Sequence, residues 1–426
     1  MFKSRYMPIL ILALALLGIG LLAFPTIIRA LPGRYAYYLP EPLQALRHNP
    51  HPVTLPTPAR TQPPAPTSVP TTAVVPTTSP TAAPSPTPTH LPPTSTSVPT
   101  LTPTPLPAFT LTGLRHEHQG WNNCGPTTLT MALSYWGCEE NQYAAAPILK
   151  PDPEDKNVSP WEMESYGRGL GLGAIARVGG TLDRVKALVR AGFPVILETW
   201  YVRDAQDQLG HYRLVVGYDD VAREFLTYDS LHGPDVTVGY QEMDELWRVF
   251  NRAYLVVYAP ERWEALAAVL GPDLDEVAML ERSLDVARAE AVTPPGACVA
   301  YAECEDWATF SWFNVGSSLT SLGRHAEAAA AYDQARQLGL HFRMLWYQFG
   351  PYESYHAVGR YDDVIALADA TLATTNNLEE SYYWRGMSRL AQGDVDGARA
   401  DFEAALRYHE HWPPAAVALE SLAGSP

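Results

Sequence analysis

Cysteine is scarce in this chain, with four residues among 426. So few thiols exclude a small scaffold held together by disulfides. Cys298 and Cys304 are six residues apart, a spacing that permits one small disulfide loop in an oxidising compartment, with two unpaired thiols as the alternative. Cys138 follows a predicted helix and is expected to pack against it. Cys124 is left without a structural role.

Basic residues are also few, with 30 Lys and Arg against 46 Asp and Glu and a formal net charge of −16 at pH 7. Of the 46 acids, 45 lie after residue 108. This balance excludes binding to nucleic acid and docking on anionic lipid through a basic patch. His116 and His118 have no further His or Cys at ligand spacing, so we predict surface loop residues there, no metal site and no cofactor.

Charge is absent from one long apolar run, the 22 residues 7–28, which follow Lys3 and Arg5 and can cross a bilayer. We predict a signal anchor in residues 1–30, with cleavage after Ala30 as the alternative, so the protein would be anchored at the outer surface or secreted. Residues 31–108 are predicted to be a disordered stalk, because residues 50–107 contain 19 prolines and almost no charge.

The rest of the chain divides into a mixed α and β region and a helical region. Residues 109–260 hold a predicted helix at 182–190 and short runs rich in β-branched and aromatic residues at 193–200, 211–218, 224–229 and 253–258, bounded by Gly, Pro and Asp turns. We predict an α+β domain over 109–260, a helical connector over 261–306 and an all-α domain over 307–426.

Cys124 stands immediately before a run with helical apolar spacing that ends at Gly137. A thiol is a good nucleophile only as the thiolate, and the unpaired N–H groups of a helix N-terminus lower the pKa of a thiol. The position therefore favours a nucleophile, which needs a base and a donor for the developing oxyanion.

His211 is the best base candidate, because it opens an apolar strand after Gly210. If residues 211–218 and 224–230 form a hairpin, Asp229 lies opposite Arg213, on the same face as His211. Asp229 would then accept from one imidazole nitrogen while the other faces Cys124, as in hydrolytic triads. Gln119 precedes Cys124 by five residues and is the preferred oxyanion donor, with Asn122 and Asn123 as rivals.

The helical region repeats with a period of 36 and 34 residues, marked by Gly323, Gly359 and Gly393. With the small and aromatic residues around these glycines, residues 307–413 resemble tetratricopeptide repeats, in which small residues let paired helices approach closely. An unrelated helical bundle is the alternative. The resemblance implies that this region recruits a protein partner or a substrate.

Five stretches of the α+β region together resemble the C39-like cysteine peptidases of the papain-like superfamily. They are Gln119 with WNNCGPTTLTMALSYWG, then GFPVIL, GHYRLVVGYD, the strand end at Tyr228-Asp229, and ELW. The resemblance covers residues 116–258 and implies a papain-like α+β fold, with Cys124 as nucleophile, His211 as general base, Asp229 as its orienting acid and Gln119 as oxyanion donor. Two features depart from the family: the Gln to Cys gap is five rather than six, and no Walker motif accompanies the domain. The substrate is therefore not carried over.

We interpret the sequence as a membrane-tethered, extracytoplasmic cysteine peptidase whose repeats recruit a protein partner or substrate. One alternative is a papain-like module that binds peptides without cleaving them. Another is a thiol enzyme that transfers acyl groups or cleaves amides in cell-wall material.

Overall fold

The computed structural model describes residues 23–31, 33–40, 43, 54–58, 106–204, 207–293, 295–300 and 307–423. Most of the apolar run 7–28, most of the predicted stalk and Cys304 lie outside these ranges. Within them, no helix has both the length and the apolar character that crossing a membrane requires. Cys298 is disulfide-bonded, whereas Cys124 and Cys138 are free thiols.

An antiparallel sheet forms the centre of the first domain, as the mixed α and β pattern predicted. Its seven strands among the described residues are β1 (Ala108–Thr110), β2 (Gly173–Arg177), β3 (Val195–Asp204), β4 (Asp207–Asp219), β5 (Glu224–Asp229), β6 (Gly233–Gly239) and β7 (Tyr254–Tyr258). They are ordered β2-β7-β3-β4-β5-β6, and β1 pairs with β4 beyond the end of β3. The strand β4 is therefore at the centre of the pairing.

The hairpin of β4 and β5 has the predicted register where the candidate site lies. Arg213 pairs with Asp229, and a bulge between Val215 and Gly217 shifts the later pairs by one residue. Because side chains alternate across a strand, His211 and Arg213 share one face of β4 and Gly210 and Tyr212 share the other.

Five helices pack around this sheet: α1 (Cys124–Ser134), α2 (Gln142–Leu149), α3 (Pro160–Gly169), α4 (Leu182–Arg190) and α5 (Tyr240–Arg248). The first is buried along its length, with Leu129 and Leu133 in the same core as Leu214 of β4. This packing places the N-terminus of α1 beside the sheet.

A one-turn helix lies at Gly33–Ala36. The helices after the sheet domain are α6 (Trp263–Leu270), α7 (Glu276–Val292), α8 (Trp307–Ser321), α9 (His325–Gln337), α10 (Gly350–Ala357), α11 (Tyr361–Leu372), α12 (Glu379–Ala391), α13 (Val395–Tyr408) and α14 (Pro413–Ala423). Gly323, Gly359 and Gly393 have φ of 71°, 78° and 87°, the left-handed conformation that ends the first helix of each pair. A Cβ on Gly316 would lie 2.5 Å from the Tyr332 ring. Close helix approach thus explains the small residues of the repeat pattern.

The repeats and the sheet domain share an apolar core. Trp200 and Phe250 of the sheet domain are buried in one cluster with Phe310 and other residues of the repeats. Arg343, before α10, donates to the Asp207 carboxylate at 2.7 Å and to the Gln208 carbonyl at 2.8 Å. The predicted boundaries at 260 and 306 divide the chain, but the core continues across them.

Two short segments of the predicted stalk contact the folded body. The Arg34 N–H donates to Glu154 at 3.3 Å, and the Tyr37 hydroxyl donates to the Gln119 carbonyl at 3.2 Å. Leu55 is buried in the shared core, and the Arg336 guanidinium donates to the carbonyl of Pro56. These residues are therefore ordered, unlike the stalk that the composition predicted.

Candidate active site

Cys124 is the first residue of α1. The loop before it contains Asn122 with a φ of 52°, a left-handed conformation that Asn tolerates better than most side chains. The Asn122 amide donates to the Glu154 carbonyl at 3.3 Å, which ties this loop to the neighbouring one. The sharp turn lets the chain enter the helix with the thiol at its N-terminus.

The start of α1 lies against β4 at the point where β5 ends. The pairing of β4 with β5 stops at Arg213 and Asp229, which leaves the backbone of Tyr212 available to another partner. The Tyr212 carbonyl accepts from the Thr128 hydroxyl at 3.3 Å, and the backbone of Tyr212 is near enough to the thiol to lower the pKa of Cys124. Helix α1 therefore takes the place of β5 along this edge.

His211 and Asp229 form a buried pair on the same edge, as the register predicted. The imidazole Nε2 lies 3.1 Å from Asp229 Oδ1, and the Arg213 Nε lies 3.3 Å from Asp229 Oδ2. The backbone N–H groups of Leu231 and His232 donate to Asp229 Oδ1 at 2.8 and 3.1 Å.

The charges of this pair follow from these contacts. Although burial opposes ionisation, the His211 hydrogen bond and the Arg213 charge hold the pKa of Asp229 well below its usual range. Burial lowers the pKa of His211, and the nearby guanidinium of Arg213 lowers it further. A neutral imidazole therefore faces an ionised carboxylate, the protonation states that a general base and its orienting acid require.

The thiol of Cys124 is less activated than its helix position predicted. Burial raises its pKa, and the Glu198 carboxyl raises it further; the N–H groups of Tyr212 and Gly125 and the charge of Lys150 lower it without reversing the shift. The prediction that the helix N-terminus dominates is wrong, because removal from water outweighs two N–H groups. Between the described Cys124 and His211 side chains there is no hydrogen bond.

Of the three amides considered as oxyanion donors, two are engaged elsewhere. Asn122 donates to Glu154, and Asn123 donates to Gln142 Oε1 at 3.0 Å. Gln119 Oε1 accepts from the Ser230 hydroxyl at 2.7 Å, which fixes the amide, and its Nε2 has no hydrogen bond to another described residue. The geometry thus favours Gln119, although it does not place its side chain in the pocket of the thiol.

Two side chains beside the thiol, Glu198 and Tyr347, were not predicted from the sequence. A pocket of about 10 Å³ at Cys124 is lined by Glu198 of β3, Gly210 and Tyr212 of β4, and Tyr347 of the repeats. The Tyr347 ring would lie 3.0 Å from a Cβ on Gly210, so glycine is required there. The pair Gly210-His211 was a visible signal of this close approach, but nothing in the sequence identified the partner 137 residues away.

The comparisons with known proteins match two regions of the chain. Residues 111–258 match the Peptidase_C39 like family. The chain carries a C39-like peptidase domain. Tetratricopeptide repeats follow it, matched over residues 311–337 and 379–409, which are the first and third of the three predicted units.

One solved structure similar to the C39-like domain is a C39-like peptidase from Bacillus anthracis, with 16% sequence identity and a TM-score of 0.30. The match covers 35% of this chain and 96% of that one, and at this TM-score it carries no argument about the site. No curated protein matches the chain.

Proposed function

We propose that this protein is a cysteine peptidase with Cys124 as nucleophile, His211 as general base, Asp229 as the acid that orients it and Gln119 as oxyanion donor. The observation that carries the proposal is the buried pair of His211 and Asp229 on the edge of β4 that also receives the N-terminus of the Cys124 helix. Its place in a C39-like domain supports the same function.

The hydrogen bond to Asp229 assigns the tautomer of the base. An ionised carboxylate accepts, so Nε2 of His211 carries the proton and Nδ1 is left with a lone pair. The structure has the thiol in the pocket on the Gly210 and Tyr212 face of β4, whereas His211 lies on the other face. The first step of the proposed mechanism therefore requires the thiol to turn towards His211, where its proton passes to Nδ1. The thiolate then attacks the peptide carbonyl carbon, and the imidazolium gives the proton to the leaving amine. Water, deprotonated by Nδ1, releases the acyl group from sulfur.

The location and partners belong to the proposal as well. We place the peptidase outside the cytoplasmic membrane, held by the apolar run 7–28, with a protein partner or substrate recruited by the repeats. The support is the length of the run and the general use of tetratricopeptide arrays as peptide-binding surfaces.

A second candidate is a peptide-binding adaptor on the same fold. The observations that favour it are the raised pKa of Cys124 and the missing hydrogen bond between its sulfur and His211. Amide cleavage or acyl transfer in cell-wall material would use the same residues as the peptidase and differs only in substrate.

The test compares full-length protein, solubilised in detergent, with three variants on a mixed peptide library read by mass spectrometry. Cys124→Ala and His211→Ala should each lose activity by about 10⁶-fold, and Asp229→Asn by about 10⁴-fold, because the imidazole would lose its preferred tautomer. Cys138→Ala serves as the thiol control and should cleave like wild type. Identical fragments from wild type and Cys124→Ala would reject the peptidase and leave the adaptor.

A further inference from the structure

The pocket at the Cys124 thiol contains an acid that the proposed mechanism does not use. Glu198 of β3 lines this pocket and is 5% exposed. It is the cross-strand neighbour of Tyr212 on β4, so the two side chains share the face of the sheet on which the pocket lies. The pocket, about 10 Å³, has room for about one water molecule, so a charge on Glu198 is poorly screened from the thiol.

The contacts of Tyr212 fix the direction of its hydrogen bond with Glu198. The Tyr212 hydroxyl donates to the Val158 carbonyl at 2.7 Å, and a carbonyl can only accept. Tyr212 and Glu198 also share a side-chain hydrogen bond. A phenol has a single hydrogen, which Val158 already receives, so the proton between Tyr212 and Glu198 comes from the carboxyl. The arrangement therefore requires Glu198 to be a carboxylic acid.

Burial has the same consequence. It raises the pKa of Glu198 to about 8, so the carboxyl keeps its proton at neutral pH. The state of this carboxyl matters to the thiol. Burial is the largest cause that raises the pKa of Cys124, and a charge on Glu198 raises it further, because a thiolate and a carboxylate repel each other.

We propose that Glu198 controls the ionisation of Cys124: with its proton in place it donates to Tyr212 and adds no charge to the pocket, and without the proton it opposes formation of the thiolate. Glu198 is thus a positioning residue that acts through the nucleophile. The proton that it loses passes to solvent water. The consequence for catalysis, a loss of cleavage above about pH 8, rests on the proposed peptidase function.

Other ionisable groups face this pair from the surrounding elements. They are Tyr212 of β4, Tyr347 of the repeats, Lys150 and Lys156 of the loop between α2 and α3, Glu162 of α3 and Glu380 of α12. Burial raises the pKa of both tyrosines, so they keep their protons as Glu198 titrates. Burial lowers the pKa of Lys156 to about 8, so this side chain loses its charge in the same range and needs its own control.

The test is alkylation of the full-length protein by iodoacetamide across pH 6–10, with the rates at Cys124 and Cys138 measured by mass-spectrometric mapping. In wild type the Cys124 rate should rise about tenfold per pH unit and then flatten in a step near pH 8, where Glu198 loses its proton. Cys138 in the same molecule should show no step. Glu198→Gln still donates to Tyr212 but cannot ionise. It should remove the step and react about tenfold faster than wild type at pH 9, with about equal rates at pH 6.5.

Two variants separate Glu198 from other causes. Lys156→Met removes the charge that titrates in the same range and should keep the step. Glu264→Gln removes an acid from an exposed position outside both lining sets and should keep it too. The proposal is overturned by a wild-type Cys124 rate without a step, by a step that persists in Glu198→Gln, or by its loss in Lys156→Met. The wild-type profile decides even if Glu198→Gln does not fold.

Cleavage of the peptide library distinguishes this proposal from the proposed function. If the step depends on Glu198 but no peptide is cleaved, the control by Glu198 stands and the peptidase fails. If peptides are cleaved and the Cys124 rate has no step, the peptidase stands and the control by Glu198 fails.

Discussion

The two faces of β4 carry opposite electrostatics. On one face Asp229 is ionised between His211 and Arg213, and the pKa of both His211 and Asp229 is lowered. On the other face the pKa of Cys124 and of Glu198 is raised, because burial disfavours the charged form of each and the Lys150 charge offsets only part of this effect at Cys124. The first face is complete within the sheet domain, whereas the second is closed by Tyr347 of the repeats.

This difference indicates how the candidate site is divided. The base and its acid have their charges satisfied before any substrate arrives. The pKa of the thiol and of Glu198 is raised, so under the proposed function the surroundings of Cys124 must change before it becomes a thiolate. Each prediction below perturbs one face and leaves the other as reference.

The largest effect should come from removing the repeats. A chain ending at Pro260 exposes Trp200, Leu246 and Phe250, which the shared core now buries. Each loses roughly 1.5–3 kcal/mol of burial, a sum comparable to the stability of a whole domain, about 5–15 kcal/mol. We therefore expect this fragment to be insoluble or unfolded when examined by circular dichroism and thermal unfolding.

The matched control ends at Gln392, which removes two helices but keeps every buried residue of the shared core. It should stay folded. A cooperative unfolding transition in the fragment ending at Pro260 would show that the sheet domain is independent, and the enclosed face would then not depend on the repeats for its structure.

A smaller effect should appear in how the free energy of unfolding changes with pH, which should differ between the two faces. Glu198 keeps in the folded state a proton that the unfolded chain loses above about pH 4.5, so its contribution to stability falls as pH rises from 4.5 towards 8. Glu198→Gln removes that fall and should gain stability over wild type by about 3–5 kcal/mol between pH 4 and pH 8.

Asp229 should behave in the opposite sense. Its folded pKa lies below the unfolded value near 4, so its contribution is present at neutral pH and lost as pH falls below about 4. Asp229→Asn should therefore be less stable than wild type at pH 7, and the deficit should shrink in acid. Urea unfolding of both variants across pH 3–8 measures the signs, and equal signs would remove the contrast between the faces.

The smallest effect concerns access to the thiol. Tyr347→Ala removes the ring that packs on Gly210 and closes the pocket, so iodoacetamide should alkylate Cys124 about tenfold faster. Tyr382→Ala, in α12, is the control, and Cys138 in the same molecule is the internal reference. Brief labelling followed by mass-spectrometric mapping gives both rates. An unchanged Cys124 rate would mean that Tyr347 does not limit access to the thiol.

Local signals in the sequence were sufficient to predict that His211 and Asp229 lie side by side. A short hairpin sets its own register, and the predicted opposition of Arg213 and Asp229 is present in the structure. The helix Leu182–Arg190 and the strand Glu224–Asp229 also have their predicted ends, because glycine or acidic turns bound them. The positive φ of the three repeat glycines follows from the same kind of local rule.

The enclosed face could not be predicted in this way. Tyr347 reaches Gly210 only because the repeats pack on the sheet, a contact that no local pattern encodes. Helix α2 was missed since Pro147 lies within it, and β2 and β6 were missed since Gly and Pro occupy their ends. The pKa of Cys124 was misjudged for the same reason, because burial depends on distant residues and the helix N-terminus does not.

Leu55 and Pro56 pack on the repeats, and this contact affects whether the Pro- and Thr-rich residues that follow can act as a spacer. Pro56 and Ala108 are both held by the same folded body, the first by Arg336 and the second by the pairing of β1 with β4. A segment attached to one body at both ends sets no height above a membrane; its length enters only through closure entropy, about 0.6 kcal/mol for each doubling. If residues 7–28 cross a bilayer, the few residues between Ile28 and Arg34, and not the Pro- and Thr-rich segment, limit how far the contact of Arg34 with Glu154 can stand from it.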